Sequence, residues 1–490
     1  MPAADTSIII LAAGKGTRMR SNLAKVLHQA GGRPLIEHVI RAVQPLKPAQ
    51  LLAIVGHQAE QVAAVANRLG AQTVLQQPQR GTGHAMQVAR RAIRKSAKLA
   101  IVVPGDAPLL RTETLAALID THRRGEAVAT ILTAEIADPA GYGRIVRDSE
   151  GRVQAIVEDS KLAPHQRAIN EVNSSIYCFT LAKLWPCLAA LRPDNAHREL
   201  YLTDAISMLR VRNERVLAYI ASDANEVLGC NTRAHLADID RIFRARKAAA
   251  LMESGVTIYL PETVIVDPEV TVGADTIIDP GVRLLGNTEI GSNCRIGAGS
   301  ILCDMRVDDD VTIFPNCNLA SSHVYTRAQV GPFSRMRPGA EIRQGAHIGN
   351  FVEVKNSVVR EGAKAMHLTY LGDATVGRDS NIGAGTITCN YDGVVKHHTE
   401  IGSGVFIGSD TALVAPVRVG DGAYVAAGSV ITENVPPDAL GIARGRQSNK
   451  PGWARQRRRE IAAASKPKSR TKPRRTRAGN GKRRRAKSRR

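Results

Sequence analysis

Aliphatic positions follow two different rhythms along the chain. Over residues 7–228, short aliphatic runs (Ser7–Ala12, Leu51–Gly56, Leu99–Pro104 and Ala127–Thr133) alternate with longer stretches of helical spacing, such as Pro34–Val43 and Thr112–His122. Strands alternating with helices imply βαβ units and a mostly parallel sheet covered on both faces. Ligands of such sheets bind beyond the carboxyl ends of the strands, so the loops after these runs are where chemistry belongs.

From about residue 258 the step becomes six. Leu260, Val266, Val272, Ile278, Leu284, Ile290, Ile296 and Leu302 follow it without a gap. Val330, Met336, Ile342, Ile348 and Val354 resume it, and Ile401, Ile407, Leu413, Val419, Val425 and Ile431 repeat it. Glycine often comes next (Gly273, Gly291, Gly297, Gly349, Gly402, Gly408, Gly420). This is the hexapeptide repeat of a parallel β-helix, with aliphatics inward and small residues at the corners. Chance spacing in a β-rich domain is the competing explanation, and series this long argue against it. Between the rhythms, Thr232–Met252 places Leu236, Ile239, Ile242 and Phe243 at helical spacing. It predicts an amphipathic helix that joins the domains and covers the first coil.

Composition sharpens this picture. The 490 residues are 43% apolar and 23% charged, which suits two or three globular domains. Aromatics are only 3%, so the cores must be built from Val, Ile, Leu and Ala. No apolar run approaches the ~18 residues of a membrane span, and no signal segment is evident, so export is not expected. Seven scattered cysteines without a Cys-x-x-Cys pair read as reduced thiols of a cytoplasmic protein.

The net charge of +22 is concentrated. Residues 451–490 hold 18 Lys/Arg against one acid, Glu460, which leaves the first 450 residues at +5. This tail, with Lys466-Pro-Lys, Lys472-Pro-Arg-Arg and Lys482-Arg-Arg-Arg, is expected to be a disordered polycation. It would attract RNA, anionic lipid or acidic protein electrostatically, or remain a solvated extension. Its stretch 455–490 lacks aromatic residues for base stacking, since Trp453 lies just before that stretch, and the near-neutral body argues against a nucleic-acid-binding protein as a whole.

After the first strand comes Leu11-Ala12-Ala13-Gly14-Lys15-Gly16-Thr17-Arg18-Met19. It lacks the third glycine of a dinucleotide loop and the spacing of a Walker loop. Its glycines let backbone N–H groups approach a polyphosphate, and Arg18 can neutralise charge on it. Taken alone, the loop also fits an ordinary tight turn.

Together with Lys25, Gln76, Gly81-Thr82-Gly83, Gly105-Asp106, Gly141-Tyr142-Gly143, Glu158, Asn173 and Gly229-Cys230-Asn231, it resembles the sugar-1-phosphate nucleotidyltransferases. With the hexapeptide half, residues 5–450 resemble the bacterial bifunctional N-acetylglucosamine-1-phosphate uridyltransferase / glucosamine-1-phosphate acetyltransferase family. The resemblance implies an α/β fold. An N-terminal Rossmann-like nucleotidyltransferase domain (1–231) with a mostly parallel sheet would precede a linker helix (232–252). A left-handed parallel β-helix of hexapeptide repeats (253–450) and the tail (451–490) would follow.

The resemblance also implies roles. Asp106 and Asn231 would hold Mg²⁺, and Lys25 and Arg18 would stabilise phosphate charge. Leu11, Ala12, Ala13, Gly14, Gln76, Gly81 and Thr82 would read the uridine of UTP. Gly143, Glu158 and Asn173 would hold the N-acetylglucosamine, and Pro104, Gly105 and Asn231 would complete the contacts to UDP-N-acetylglucosamine. The chain departs from the family's usual residues at Ala24, Pro104 and Ser175. Asp106 could instead cap a helix before Pro108–Leu110.

On the solenoid, acetyl transfer from acetyl-coenzyme A to glucosamine-1-phosphate needs a base, and histidine has the nearest pKa. The resemblance implies His367 as that base, oriented by Glu353. Arg337 and Lys355 would hold the sugar phosphate, with Tyr370, Asn381, Asn390 and Tyr391 around the sugar and coenzyme. Ala384, Ser409, Ala427 and Arg444 would contact acetyl-coenzyme A. His397 and His398 are expected to be ordinary surface or core histidines. A solenoid face has no deep pocket of its own, so a homotrimer with sites between subunits is expected. The alternative is a single-activity nucleotidyltransferase whose β-helix only oligomerises.

Overall fold

A computed structural model describes residues 4–193 and 198–465. Seven strands form the main path of the N-terminal sheet, in the order Val216–Ile220, Ala129–Glu135, Glu171–Thr180, Leu99–Pro104, Thr6–Ala12, Gln50–Val55 and Gln72–Leu75. The central strand Thr6–Ala12 runs parallel to both neighbours, and Glu171–Thr180 runs antiparallel to both of its own. Ile8, Ile9 and Ile10 are all fully buried, which explains the unbroken aliphatic run of that strand. Ile8 and Ile10 pack with Ile36, Val39 and Ile40 of the helix Leu35–Val43. Ile9 packs on the opposite face with Met86, Leu184 and Leu188. Leu11 pairs with Pro104, so the glycine loop and the Gly105-Asp106 turn emerge side by side.

The second half coils through three parallel sheets of eleven, ten and nine strands, consistent with the left-handed β-helix expected of hexapeptide repeats. Ile277 pairs with Arg295 and Arg295 with Thr312, so successive coils take 18 or 17 residues. The shorter coils explain the breaks in the six-residue step, since Val307 and Val324 follow Leu302 and Leu319 after five residues and are equally buried. Inward positions stack in register, as Ile278 on Ile296 and Leu284 on Leu302. Leu260 is a correction: it is 56% exposed at a left-handed corner, and Ile258 fills the inward position instead. Asp275, Asn293 and Asp310 take positive φ at one corner, where a short side chain tolerates the left-handed region.

The connecting helix spans Arg233–Glu253, with Thr232 Oγ1 accepting the His235 N–H at 3.1 Å as its N-cap. It belongs to two cores. Ile239 packs with Met19, Leu35, Leu109 and Cys230, while Ala248 and Leu251 join the solenoid core. Phe243 stacks on His38 at 4.0 Å, and Asp240 accepts the Gly31 N–H at 2.7 Å. Gly31 has φ +55, and a Cβ there would lie 2.6 Å from Phe243 Cβ, so glycine is required.

Of the described residues, those from Ala443 onward form a unit separate from the rest. Within it, Trp453–Ala464 is a helix, which corrects the expectation of disorder from residue 451. Ala, Arg, Gln and Glu are strong helix formers, and Glu460 accepts bonds from Gln456 and Arg457 one turn earlier. The basic clusters from Lys466 onward lie outside the described residues. Among the described residues, no helix is long and apolar enough to cross a membrane.

His122, only 2% exposed, bridges Thr130 Oγ1 at 3.0 Å and Thr180 Oγ1 at 3.1 Å. Burial pushes its pKa down from 6.5 to about 4. Between those values the unfolded chain holds the extra proton, so His122 makes stability fall as pH drops from about 6.5 to about 4. Thermal unfolding across this window should show a shallower pH slope for His122→Gln than for wild type. Parallel slopes would assign the acid sensitivity to other groups.

Candidate functional site

A cleft of about 630 Å³ opens at the carboxyl ends of the central strands. Leu11, Ala13, Gly14, Gln76, Gly81, Thr82, Pro104 and Asp106 line it, as the sequence predicts. Ala12 is buried beside it at 2% exposure, and Gly105 donates its N–H to Leu11 O at 2.9 Å. Gln76 is buried and donates from Nε2 to Gly81 O at 3.0 Å, which aims the amide within the cleft wall. Gly81 has φ +91, and a Cβ there would stand 2.6 Å from Leu200 O. That close approach draws the segment 199–202 against the loop, and it brings in Glu199 and Tyr201, which sequence reasoning missed. No local motif marks them.

Four charged or polar side chains from distant segments meet at this cleft. Lys25 forms an ion pair with Asp106 and donates to Asn231 Oδ1 at 2.7 Å, and Arg18 Nη2 donates to the same oxygen at 2.8 Å. Gly16, at φ +62, lets the loop close over Lys25, because a Cβ there would sit 2.6 Å from Lys25 Cβ. Cys230 N–H bonds Asp106 O at 2.9 Å and fastens the two acceptor segments together. Asp106 is no helix cap, since the next helix begins at Thr112 with Arg111 before it. Two cations beside a glycine loop can hold and neutralise a polyphosphate. The oxygens of Asp106 and Asn231 converge on one cationic nitrogen, so a hard divalent cation completed by substrate phosphates fits the same pair. Among the described residues, no cluster of three or more His, Cys, Asp or Glu forms a self-sufficient metal site.

Three further predicted residues cluster near this wall. Asn173 donates its backbone N–H to Gly143 O at 2.8 Å. Burial, reinforced by Asp204, pushes the Glu158 carboxyl above the usual carboxylate range, and Thr203 Oγ1 lies 3.5 Å from it.

The second cluster lies on the solenoid. Arg337 donates to Glu353 Oε1 at 3.2 Å, and Lys355 lies 3.5 Å from Asp373 Oδ2. Burial works against ionisation of Asp373, but bonds from Asn356, Asn390 and Lys355 hold its pKa below the usual range. Lys396, unanticipated from sequence, sits beside Lys355, and that contact pushes its pKa down. The cations Arg337, Lys355 and Lys396 thus share few acids, an arrangement suited to a phosphate dianion. Tyr370 lies over Gly372, where the absence of a Cβ makes room for its ring. Asn381 is half-buried, with its backbone N–H bonded to Val405 O at 2.8 Å. Tyr391 is 60% exposed on an insertion in which His397 pairs with Asp392 at 2.7 Å, and His398 lies 3.1 Å from Thr375 Oγ1.

His367 ends the strand Lys364–His367 and is exposed beside Asn350 of the preceding coil. The structure does not bring Glu353 to it. Among the described residues, the carboxylate bonds Arg337 and faces Arg335 at 3.9 Å instead. His367, Ala384, Ser409 and Ala427 each precede a corner residue of positive φ: Leu368, Gly385, Asp410 and Gly428. Backbone bonds such as Gly385 N–H to Leu368 O at 3.1 Å tie these corners together. At ~4.8 Å per coil, the column runs roughly 14 Å from His367 to Ala427, past small residues only. Arg444 belongs to the unit that begins at Ala443. On the same corner, Phe333, Phe351 and Leu368 are 50%, 58% and 64% exposed and hold positive φ despite their bulk. The two phenylalanine rings stack at 5.3 Å.

Comparison with known proteins matches both halves. A model described as a MobA-like NTP transferase domain matches residues 8–202, and the bacterial transferase hexapeptide model matches residues 269–304 and 398–433. A relative from Koribacter versatilis named bifunctional protein GlmU is 49% identical over 93% of this chain and 97% of its own length. Proteins of the same name from Streptococcus agalactiae and Corynebacterium diphtheriae are 46% and 44% identical over 91% and 94% of this chain, covering 97% and 96% of their own lengths. With such identity running through both the sheet domain and the solenoid, the chain belongs to the bifunctional GlmU family.

Proposed function

We propose that the chain makes UDP-N-acetylglucosamine in two steps at two separate sites. The solenoid transfers acetyl from acetyl-coenzyme A to glucosamine-1-phosphate. The N-terminal cleft then transfers uridylyl from UTP to N-acetylglucosamine-1-phosphate, releasing pyrophosphate. The observation that carries this reading is the pair of distinct phosphate-suited clusters, Arg18–Lys25–Asp106–Asn231 and Arg337–Lys355–Lys396. A single-activity enzyme would leave the second cluster without an anion to hold.

In uridylyl transfer, a phosphate oxygen of the sugar phosphate attacks the α-phosphorus of UTP and the bond to pyrophosphate breaks. Positioning and charge neutralisation dominate such a reaction. Arg18 and Lys25 hold the phosphates, while Leu11–Gly14, Gln76, Gly81 and Thr82 surround the uridine. Gly143, Glu158 and Asn173 flank the sugar. Mg²⁺, held by Asp106 and Asn231, would supply further positive charge to the phosphates. In acetyl transfer, Arg337, Lys355 and Lys396 hold the sugar phosphate, and His367 takes the proton of the amine as its nitrogen attacks the thioester carbonyl; the C–S bond then breaks and coenzyme A leaves as its thiol with that proton. Tyr370, Asn381, Asn390 and Tyr391 border the sugar and acyl group. The corner column Ala384–Ser409–Ala427 offers a shallow track of pantetheine length for the coenzyme. Glu353 acts through Arg337. The ridge of Phe333, Phe351 and Leu368 beside His367 supports a homotrimer, with the ridge covered by a neighbouring copy. Reduced cysteines and the nucleotide substrates fit the cytoplasm.

Asp106→Ala should abolish most uridylyl transfer and leave acetyl transfer nearly intact, as separate assays of the two products would show. Loss of both activities in a folded trimer would refute two independent sites.

His367→Ala should slow acetyl transfer by roughly 10²–10⁴, the usual contribution of a general base. Uridylyl transfer from supplied N-acetylglucosamine-1-phosphate should not change. Acetylation within a few-fold of wild type would place the base elsewhere.

Truncation after Lys450 removes +17 of the +22 net charge but none of the assigned residues. Both activities should survive in moderate salt, where the Debye length is about 8 Å. RNA binding by the full-length protein should weaken steeply with salt and disappear on truncation. Loss of acetyl transfer that persists at high salt would mean that the segment after Lys450 completes a site.

A further inference from the structure

The strand Glu171–Thr180 is buried at every position through Phe179 except Ser175, which is exposed. Its pairing with Ala129–Glu135 shifts register between Asn173 and Ile176, and at this bulge Ser175 takes φ +62. Glycine occupies that region freely, whereas any residue with a Cβ is strained there. The bulge turns the side chain out of the core and into the wall of the N-terminal cleft, alongside Asp106, Glu199 and Tyr201.

The side chains behind Ser175 prepare its hydroxyl. Asn173, 6% exposed, accepts the Ser175 N–H on Oδ1 at 3.2 Å and donates from Nδ2 to Tyr177 Oη at 2.9 Å. Tyr177 is 2% exposed and interacts with both Asn173 and Ser175 side chains. Burial pushes its phenol pKa well up, so it keeps its proton. Tyr177 Oη accepts the Asn173 N–H and also contacts the Ser175 side chain, so the pair fixes where the Ser175 hydroxyl sits at the cleft wall. A hydroxyl can rotate its proton toward an acceptor in the cleft when one is bound there. Pro104, which lines the same cleft, has neither an N–H nor a polar side chain to offer.

We propose that Ser175 is a specificity-determining residue of uridylyl transfer, donating its hydroxyl to an acceptor oxygen on the sugar ring of the sugar-1-phosphate. The proposal rests on the assignment of this cleft to uridylyl transfer. Asn173 and Tyr177 are positioning residues that hold the donor against the strain of its backbone. A strained position that would relax as glycine keeps a hydroxyl where that hydroxyl is used.

The test is steady-state uridylyl transfer by the full-length protein, with N-acetylglucosamine-1-phosphate and UTP varied in turn. Ser175→Ala and Ser175→Gly should each raise KM for the sugar phosphate roughly three- to tenfold, the effect of one neutral hydrogen bond, and leave KM for UTP within twofold. Ser175→Gly, freed of the left-handed strain, should melt no lower than wild type, which separates a lost contact from a damaged fold. Tyr177→Phe should raise the same KM and add nothing on top of Ser175→Ala. Among 3-, 4- and 6-deoxy analogues, the one lacking the acceptor should react equally with wild type and Ser175→Ala. Unchanged sugar KM in both serine variants, or a rise shared equally with UTP, would overturn the proposal while leaving the cleft assignment standing. Absence of uridylyl transfer by the wild-type protein would instead overturn the assignment itself, and the proposal with it.

Discussion

One helix has to satisfy two hydrophobic cores at once, and much of the molecule is arranged around that demand. Arg233–Glu253 places Ile239 in the sheet domain and Ala248 and Leu251 in the solenoid. Its start is set by the Thr232 cap, one residue after Asn231, so the helix fixes one side of the Lys25–Asp106–Asn231 cluster. The other side is tied as well. A few residues after Lys25, Gly31 packs against Phe243 and bonds Asp240. Lys25 and its acceptor Asn231 are thus anchored to a single rigid element, although they lie 206 residues apart in sequence. Apolar burial on that helix gives the cleft its geometry.

The two cationic clusters are compensated differently, and the architecture explains why. The sheet domain encloses a cleft, where charges lose water and must be balanced, so Lys25 rests against Asp106 and Asn231. The solenoid offers only a face open to solvent. There Lys355 and Lys396 can stand side by side with Asp373 as partial compensation, because water screens their repulsion. A side chain can also be strained in either place for different ends. Ser175 is turned into the enclosed cleft, whereas Phe333, Phe351 and Leu368 are held outward on an open corner.

Much was legible where the physical signal is local. A six-residue step determines which side chains face inward, so the β-helix and nearly all of its core could be read directly. Leu260 was misplaced because the first coil has no earlier coil to set its register, and Ile258 competes for the same place. The helix Trp453–Ala464 was missed because charge density was weighed above the helix propensity of Ala and Arg. Glu199, Tyr201 and Lys396 carried no local signal: the first two are drawn in by the Gly81 contact with Leu200, and the third lies on an insertion between hexads.

The sequence by itself determined the alternation of strand and helix, the solenoid repeat, the glycine loop and the residue types able to hold phosphate. Each of these depends on periodicity or on a short motif, which neighbouring residues along the chain suffice to define. Only the tertiary structure decided that Arg18, Lys25, Asp106 and Asn231 share one point, and that Glu353 turns to Arg337 rather than to His367. It also decided that Asn173 lies behind Ser175 and accepts its N–H. Those outcomes depend on a bulge, a strand register and a helix shared by two cores, each set by packing between segments far apart in the chain.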